Sequence, residues 1–112
     1  MKRGEIWTLM DSGYARKARP VVVVQSDEID NFDSVVLCLF TTYESSKIST
    51  RVCISPDTIN GLVKTSYVMT EKIISVDKRI LGEKIGTLTE DQMREISKQI
   101  ATVLEIRKED ID

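Results

Sequence analysis

Histidine is absent from this chain of 112 residues, and its absence removes a good deal of chemistry at once. The commonest general base, the commonest zinc ligand and every Ser–His or Cys–His nucleophilic pair are gone. An enzyme built on this sequence has to work with arginine, lysine, carboxylates and hydroxyls. Cysteine is scarce too. Cys38 and Cys53 both lie in apolar, strand-like runs, where buried free thiols rather than a disulfide are expected in a reducing compartment. No cluster has metal-ligand spacing, so neither a metal nor a cofactor is expected. No apolar run approaches the roughly 20 residues that cross a bilayer. The charged start, Met1-Lys2-Arg3-Gly4-Glu5, is not followed by the apolar core of a signal peptide, and a cytoplasmic protein without membrane contact is expected.

What is present is an ordinary globular composition. Hydrophobic residues make up 41% and charged residues 30%, which excludes a disordered chain and leaves room for one core, so a single domain over 1–112 is expected. The net charge of −2 gives no overall attraction for nucleic acid. The charges are unevenly spread, however. Within residues 1–25, Lys2, Arg3, Arg16, Lys17 and Arg19 face only Glu5 and Asp11, whereas the end from Glu105 to Asp112 is acid-rich. Any polyanion site must therefore be local and near the N-terminal half.

Short strand-like runs fill most of the chain. Glu5–Met10 reads as a first strand opened by Gly4. Val21-Val22-Val23-Val24, ending near Asp27, reads as a strand buried on both faces. Pro20, with no N–H to offer a ladder, is expected to be its first residue. Val35–Phe40, running out into Thr41-Thr42, is a second continuous apolar run. Thr50–Ile54 alternates as a half-exposed strand, Pro56 ends it, and Asn60-Gly61 is a turn. Ser66–Ile74 is strand-like, Asp77–Leu81 a short turn or helical piece closed by Gly82, and Lys84–Leu88 a last strand. Thr89-Glu90-Asp91-Gln92 has capping-box spacing and opens a helix over about 89–107, with Met93, Ile96, Ile100, Val103 and Leu104 on one face. The fold expected is mainly β with one C-terminal helix, an SH3-like small barrel.

Arg16-Lys17-Ala18-Arg19-Pro20 puts three cations directly before the valine strand. Pro20 pushes Arg19 towards extended geometry at the mouth of a rigid element. A guanidinium held there is well placed to clamp a phosphate, because its fork meets two oxygens at once. Arg16 and Lys17, taken alone, read as a solvated loop. Thr41 reads as a strand-end hydroxyl satisfying local backbone, and Glu71 as half of a surface ion pair.

Taken together, Lys2-Arg3-Gly4-Glu5-Ile6-Trp7, Arg19-Pro20-Val21-Val22-Val23-Val24-Gln25-Ser26-Asp27, the apolar strand ending in Thr41, Thr70-Glu71-Lys72-Ile73, Asp77-Lys78-Arg79 and Ile85-Gly86-Thr87-Leu88 resemble the MazF/PemK family of bacterial toxins over nearly the whole chain. The resemblance implies an SH3-like barrel with a C-terminal helix, a homodimer, sequence-specific cleavage of single-stranded RNA, and silencing by a partly disordered antitoxin. Carried over residue by residue, it makes Arg19 the catalytic arginine and Thr41 the catalytic threonine. Glu71 matches an acidic position of some branches, acting as base or pairing with Arg19 or Lys72. Arg16, Lys17, Thr42, Glu71 and Lys72 are expected to contact the RNA. Two features depart from the family: the loop after the first strand is short and lacks a Gly-Ser-Glu-like stretch, and Met69 stands where one branch has a second functional arginine.

The chemistry implied needs no histidine. The 2′-hydroxyl of RNA attacks its own phosphate, leaving a 2′,3′-cyclic phosphate, while the protein stabilises the phosphorane and assists two proton transfers. Two other classes use the same barrel. CcdB-type gyrase poisons act through an exposed aromatic at the helix end, where this chain has Ile106-Arg107-Lys108-Glu109-Asp110. An inactive barrel that only binds RNA or an antitoxin-like peptide is the other; the presence of both Arg19 and Thr41 argues against it.

Overall fold

The computed structural model describes residues 1–10 and 18–112. Among these, the strands form one six-stranded antiparallel sheet, β1 Glu5–Met10, β2 Ala18–Val23, β3 Ser34–Thr41, β4 Val52–Ile54, β5 Ser66–Asp77 and β6 Leu81–Thr87, in the spatial order β4-β5-β3-β2-β1-β6. A single 3₁₀ turn, Lys78–Ile80, joins β5 to β6, with the Asp77 carboxylate accepting from the Arg79 N–H at its start. Helix α1, Glu90–Val103, and a one-turn helix α2, Lys108–Ile111, complete the chain. The architecture is the mainly β fold with a C-terminal helix that the sequence predicts.

The two central strands are buried on both sides. Val21, Val22, Val23, Leu37 and Cys38 are all at or below 1% exposed. One face, with Ile6, Val22, Cys38, Phe40 and Val68, packs against Met93 and Ile96 of α1. On the opposite face Val21, Val23, Val35 and Leu37 cluster with Trp7, Leu9, Ile74, Val76 and Leu81. Several of these are cross-strand partners on the same curved sheet, such as Trp7 beside Val21, Ile74 beside Leu37 and Val76 beside Val35. A bulge in β5 contributes to the curl. Cys38 faces Ile73 while the next residue, Leu39, faces Met69, so Thr70, Glu71 and Lys72 are left without a partner on β3.

The ladder itself does not close: β4 and β6 are its edges. The segment from Asp57 to Leu62 spans the gap, with the Thr87 N–H donating to the Ile59 carbonyl at 3.0 Å. Gly61, at φ +69°, and Gly86 permit this approach, since a Cβ on either would run into the backbone of Ile85 or Asn60. Asn60, 1% exposed, organises the segment from inside, accepting from the Asp57 and Leu62 N–H groups and donating to the Ser55 carbonyl.

Several sequence expectations are corrected. Pro20 lies within β2, opposite Thr8, rather than at its start. It is tolerated because β2 pairs with β3 only from Val21 onwards, so at Pro20 the strand has a ladder neighbour on one side alone. The ladder of β2 ends at Val23 rather than near Asp27, because the Gln25 side chain takes the Val36 N–H at 3.1 Å. Cys53 is exposed, since it occupies the outward position between buried Val52 and Ile54. Gly82 does not close a turn but belongs to β6.

The capping box forms as its spacing predicts, Thr89 accepting from the Gln92 N–H and Gln92 from the Thr89 N–H. The helix ends earlier than 107. Glu105 adopts φ 55°, and the N–H groups of Glu105 and Ile106 return to the carbonyls of Thr102 and Ala101, the paired bonds of a Schellman ending. Val103 and Leu104 therefore do not join the packed face; they are 38% and 55% exposed, beyond the end of the core.

Candidate active site

Proline both starts and limits the site. Where Pro20 withholds its N–H and the β2–β3 ladder stops, the two strands part and leave a crevice of about 280 Å³. Ala18, Arg19 and Pro20 form one wall, Phe40, Thr41 and Thr42 the other, and Ser66 of β5 contributes to the lining. Arg19 is held in β2 opposite Leu9, its backbone in the sheet and its residue exposed. Among the described lining residues it is the only charged one. Thr41 is the last residue of β3, paired with Tyr67. Its Oγ1 accepts the Tyr43 N–H at 3.1 Å, which uses one lone pair and leaves its own O–H able to donate to a ligand. Thr42 follows, exposed.

A larger crevice, about 520 Å³, lies elsewhere among the described residues, between Asp30-Asn31-Phe32-Asp33 and Asp77-Lys78-Arg79. It is a poor phosphate site despite its size. Three carboxylates line it, and Asp77 holds the Arg79 guanidinium at 2.8 Å; that bond draws the Asp77 carboxyl down to about 2.

Glu71 and Lys72 sit on the β5 bulge, outside the described lining of the Arg19 crevice. Both are exposed. Glu71 is paired with neither Arg19 nor Lys72 in the manner considered from sequence. Its partner is Arg51, which reaches it through Nε at 3.1 Å and Nη2 at 2.5 Å. That bond lowers the Glu71 carboxyl below its ordinary range, which makes it a weak proton acceptor. The same guanidinium donates to Ser45 Oγ at 3.0 Å. Cys38, near the negative Glu71, is pushed up to about 12, first by burial and then by that charge, and so stays an inert thiol. Arg16 and Lys17 lie outside the described residues.

Sequence reasoning thus brought Arg19, Thr41 and Thr42 to one place and missed Ser66, Phe40 and Arg51. Nothing local marks them. Ser66 and Phe40 reach the crevice through strand register, and Arg51 meets Glu71 only because β5 bulges there.

A six-stranded curled sheet with a C-terminal helix packed on one face, and an arginine–threonine crevice at a strand split, defines a small, open-barrel β domain. The sequence pattern of PemK-like, MazF-like toxins of type II toxin–antitoxin systems matches residues 2–104, and this chain belongs to that family. It is 35% identical over 94 residues to a probable endoribonuclease MazF of Mycolicibacterium smegmatis, covering 83% of this chain and 86% of the relative. Its fold is similar to an endoribonuclease in complex with its cognate antitoxin from a mycobacterial species, at 29% identity and a TM-score of 0.81, covering 96% of this chain and 97% of the other. A further mycobacterial endoribonuclease matches at 27% identity and a TM-score of 0.77, over 94% and 91% of the two chains.

Proposed function

We propose that this chain is an endoribonuclease that cleaves single-stranded RNA at defined sequences without a metal ion, as the toxin of a toxin–antitoxin pair. The observation that carries this reading is the meeting of Arg19 and Thr41 across the crevice that Pro20 opens. Kinship with proteins named endoribonucleases supports it.

The step begins when the ribose 2′-oxygen forms a bond to the adjacent phosphorus and gives up its proton to a water molecule. The bond from phosphorus to the 5′-oxygen then breaks, and that oxygen takes a proton from water. Arg19 stabilises the extra negative charge of the phosphorane through paired N–H donors. Thr41 orients the 2′-hydroxyl or a phosphate oxygen, and Thr42, Arg16, Lys17 and Lys72 hold flanking phosphates and riboses. Glu71, committed to Arg51, supports the fold near the site and is not the base.

The chain acts in the cytoplasm as a homodimer, so that the cations of two protomers, each of net charge −2, converge on one RNA. It is held off by an acidic, partly disordered antitoxin segment laid along the same mouth. The test is to incubate the protein with a long RNA in EDTA and map the new ends. Cleavage with 2′,3′-cyclic phosphate and 5′-hydroxyl ends is expected; activity lost in EDTA and restored by magnesium would overturn the mechanism.

A further inference from the structure

Tyr43 is 77% exposed, whereas Phe40 of β3 and Tyr67 of β5 are each 7% exposed. It directly follows Thr41 and Thr42, which wall the crevice. Its backbone is held on both sides: the N–H donates to Thr41 Oγ1 at 3.1 Å, and the carbonyl accepts from Ser45 Oγ at 2.9 Å. Ser45, 2% exposed, is itself gripped by Arg51, and Glu44 between them accepts the Tyr67 hydroxyl at 2.9 Å. The loop is therefore built to hold a fixed backbone while presenting a large planar ring to water.

We propose that Tyr43 is a stacking platform for an unpaired base beside the scissile phosphate. The proposal rests on the endoribonuclease reading and deepens it by assigning how a base, as distinct from phosphate and ribose, is gripped. An aromatic face takes any nucleobase, and a ring with only two side-chain torsions on a pinned backbone loses little freedom on binding. Arg19 positions the phosphate and Tyr43 the flanking base, so the two contacts together set the nucleotide across the crevice.

The experiment uses Tyr43→Ala, Tyr43→Leu and Tyr43→Phe in the full chain. Binding is measured to a single-stranded oligonucleotide of the mapped cleavage sequence carrying 2′-deoxyribose at the scissile position, which cannot be cut. Tyr43→Ala and Tyr43→Leu should weaken binding and raise KM by roughly 5- to 150-fold, the span of one lost base–aromatic stack, with kcat little changed. Tyr43→Phe should bind as the unaltered chain does. If Tyr43→Leu binds as well as the unaltered chain, a planar ring is not required and stacking is overturned. A variant with unchanged oligonucleotide binding but an altered oligomeric state would make Tyr43 a subunit contact and also overturn it. If the unaltered chain cuts RNA and Tyr43→Ala is equal to it, stacking alone fails; if the unaltered chain cuts no RNA, both readings fail.

Discussion

Arg3 and Arg19 come from the same cation-rich quarter of the chain, yet they take different places in the fold. Arg3 is drawn inward. It donates to the carbonyls of Val24 and Met93 and to the Ser97 hydroxyl, and so ties the N-terminus to β2 and to α1. Its neighbours extend the clamp: the Gly4 N–H bonds the Val23 carbonyl, the Leu88 N–H bonds the Gly4 carbonyl, and Glu5 binds the Lys2 N–H, Trp7 Nε1 and Lys84. Arg19 instead lies exposed on a crevice wall where the ladder of β2 has stopped. A cation whose donors are taken up by backbone carbonyls stabilises the fold and is unavailable to a ligand. Arg19, at the point where two strands part, is the charged residue in the described lining of a crevice, and the proposed function gives it a phosphate to hold. The conspicuous Lys-Arg-Gly-Glu run is thus a fastening, while the plainer Arg-Pro step lines the crevice of the proposed site.

The contrast is broken or sharpened by substitution, and the largest effect belongs to Arg19. Arg19→Ala should lower RNA cleavage by ~10²–10³-fold, the scale of a lost charge-stabilising donor, in protein that still folds. Arg19→Lys should not restore the rate, since a point charge cannot make the paired contact. Full activity in Arg19→Ala, measured on a long RNA, would remove the assignment.

Arg3→Ala should do the reverse. Losing charged hydrogen bonds to buried carbonyls should cost about 2–3 kcal/mol and lower the melting temperature on the order of 10 °C. Cleavage per folded molecule should remain. Calorimetry and an activity assay on the same sample separate the two outcomes.

Glu5 tests the clamp through pH. Burial alone would raise its carboxyl, but the bonds from the Lys2 backbone, Lys84 and Trp7 outweigh that and bring it from 4.5 to about 2. A carboxyl lowered on folding adds stability above its unfolded value and loses it as pH falls towards the folded one. The gap in urea stability between the unaltered chain and Glu5→Gln should be about 3 kcal/mol at pH 7 and should close between about pH 4.5 and pH 2. A gap that stays constant across that window would show that the bonds, not the charge, carry the effect.

Glu71→Gln should have the smallest effect. Its pair with Arg51 is partly exposed, at 16% and 32% for the two side chains, and such pairs contribute less than about 1 kcal/mol. Cleavage should persist, because a carboxylate bound by Arg51 and lowered by that bond is a weak proton acceptor. Abolished cleavage in a normally folded Glu71→Gln protein would return Glu71 to the chemistry.

The sequence by itself determined the local elements. Continuous valines marked a strand buried on both faces, alternation marked Glu5–Met10 as a strand, and Thr89 with Gln92 set the helix start, because periodicity and capping act within a few residues. It also marked Arg19 beside Pro20. Whatever depended on two distant segments was decided only in the tertiary structure. Whether Pro20 began β2 or lay inside it turned on where β3 stopped pairing. Whether Glu71 met Arg19, Lys72 or Arg51 turned on a bulge that shifts one register against another, and a register shift changes which face a side chain takes without leaving a trace in composition. Val103 and Leu104 carried the right helical spacing and still ended in solvent, because spacing sets the direction of a face while only the sheet beneath it sets how far that face is covered.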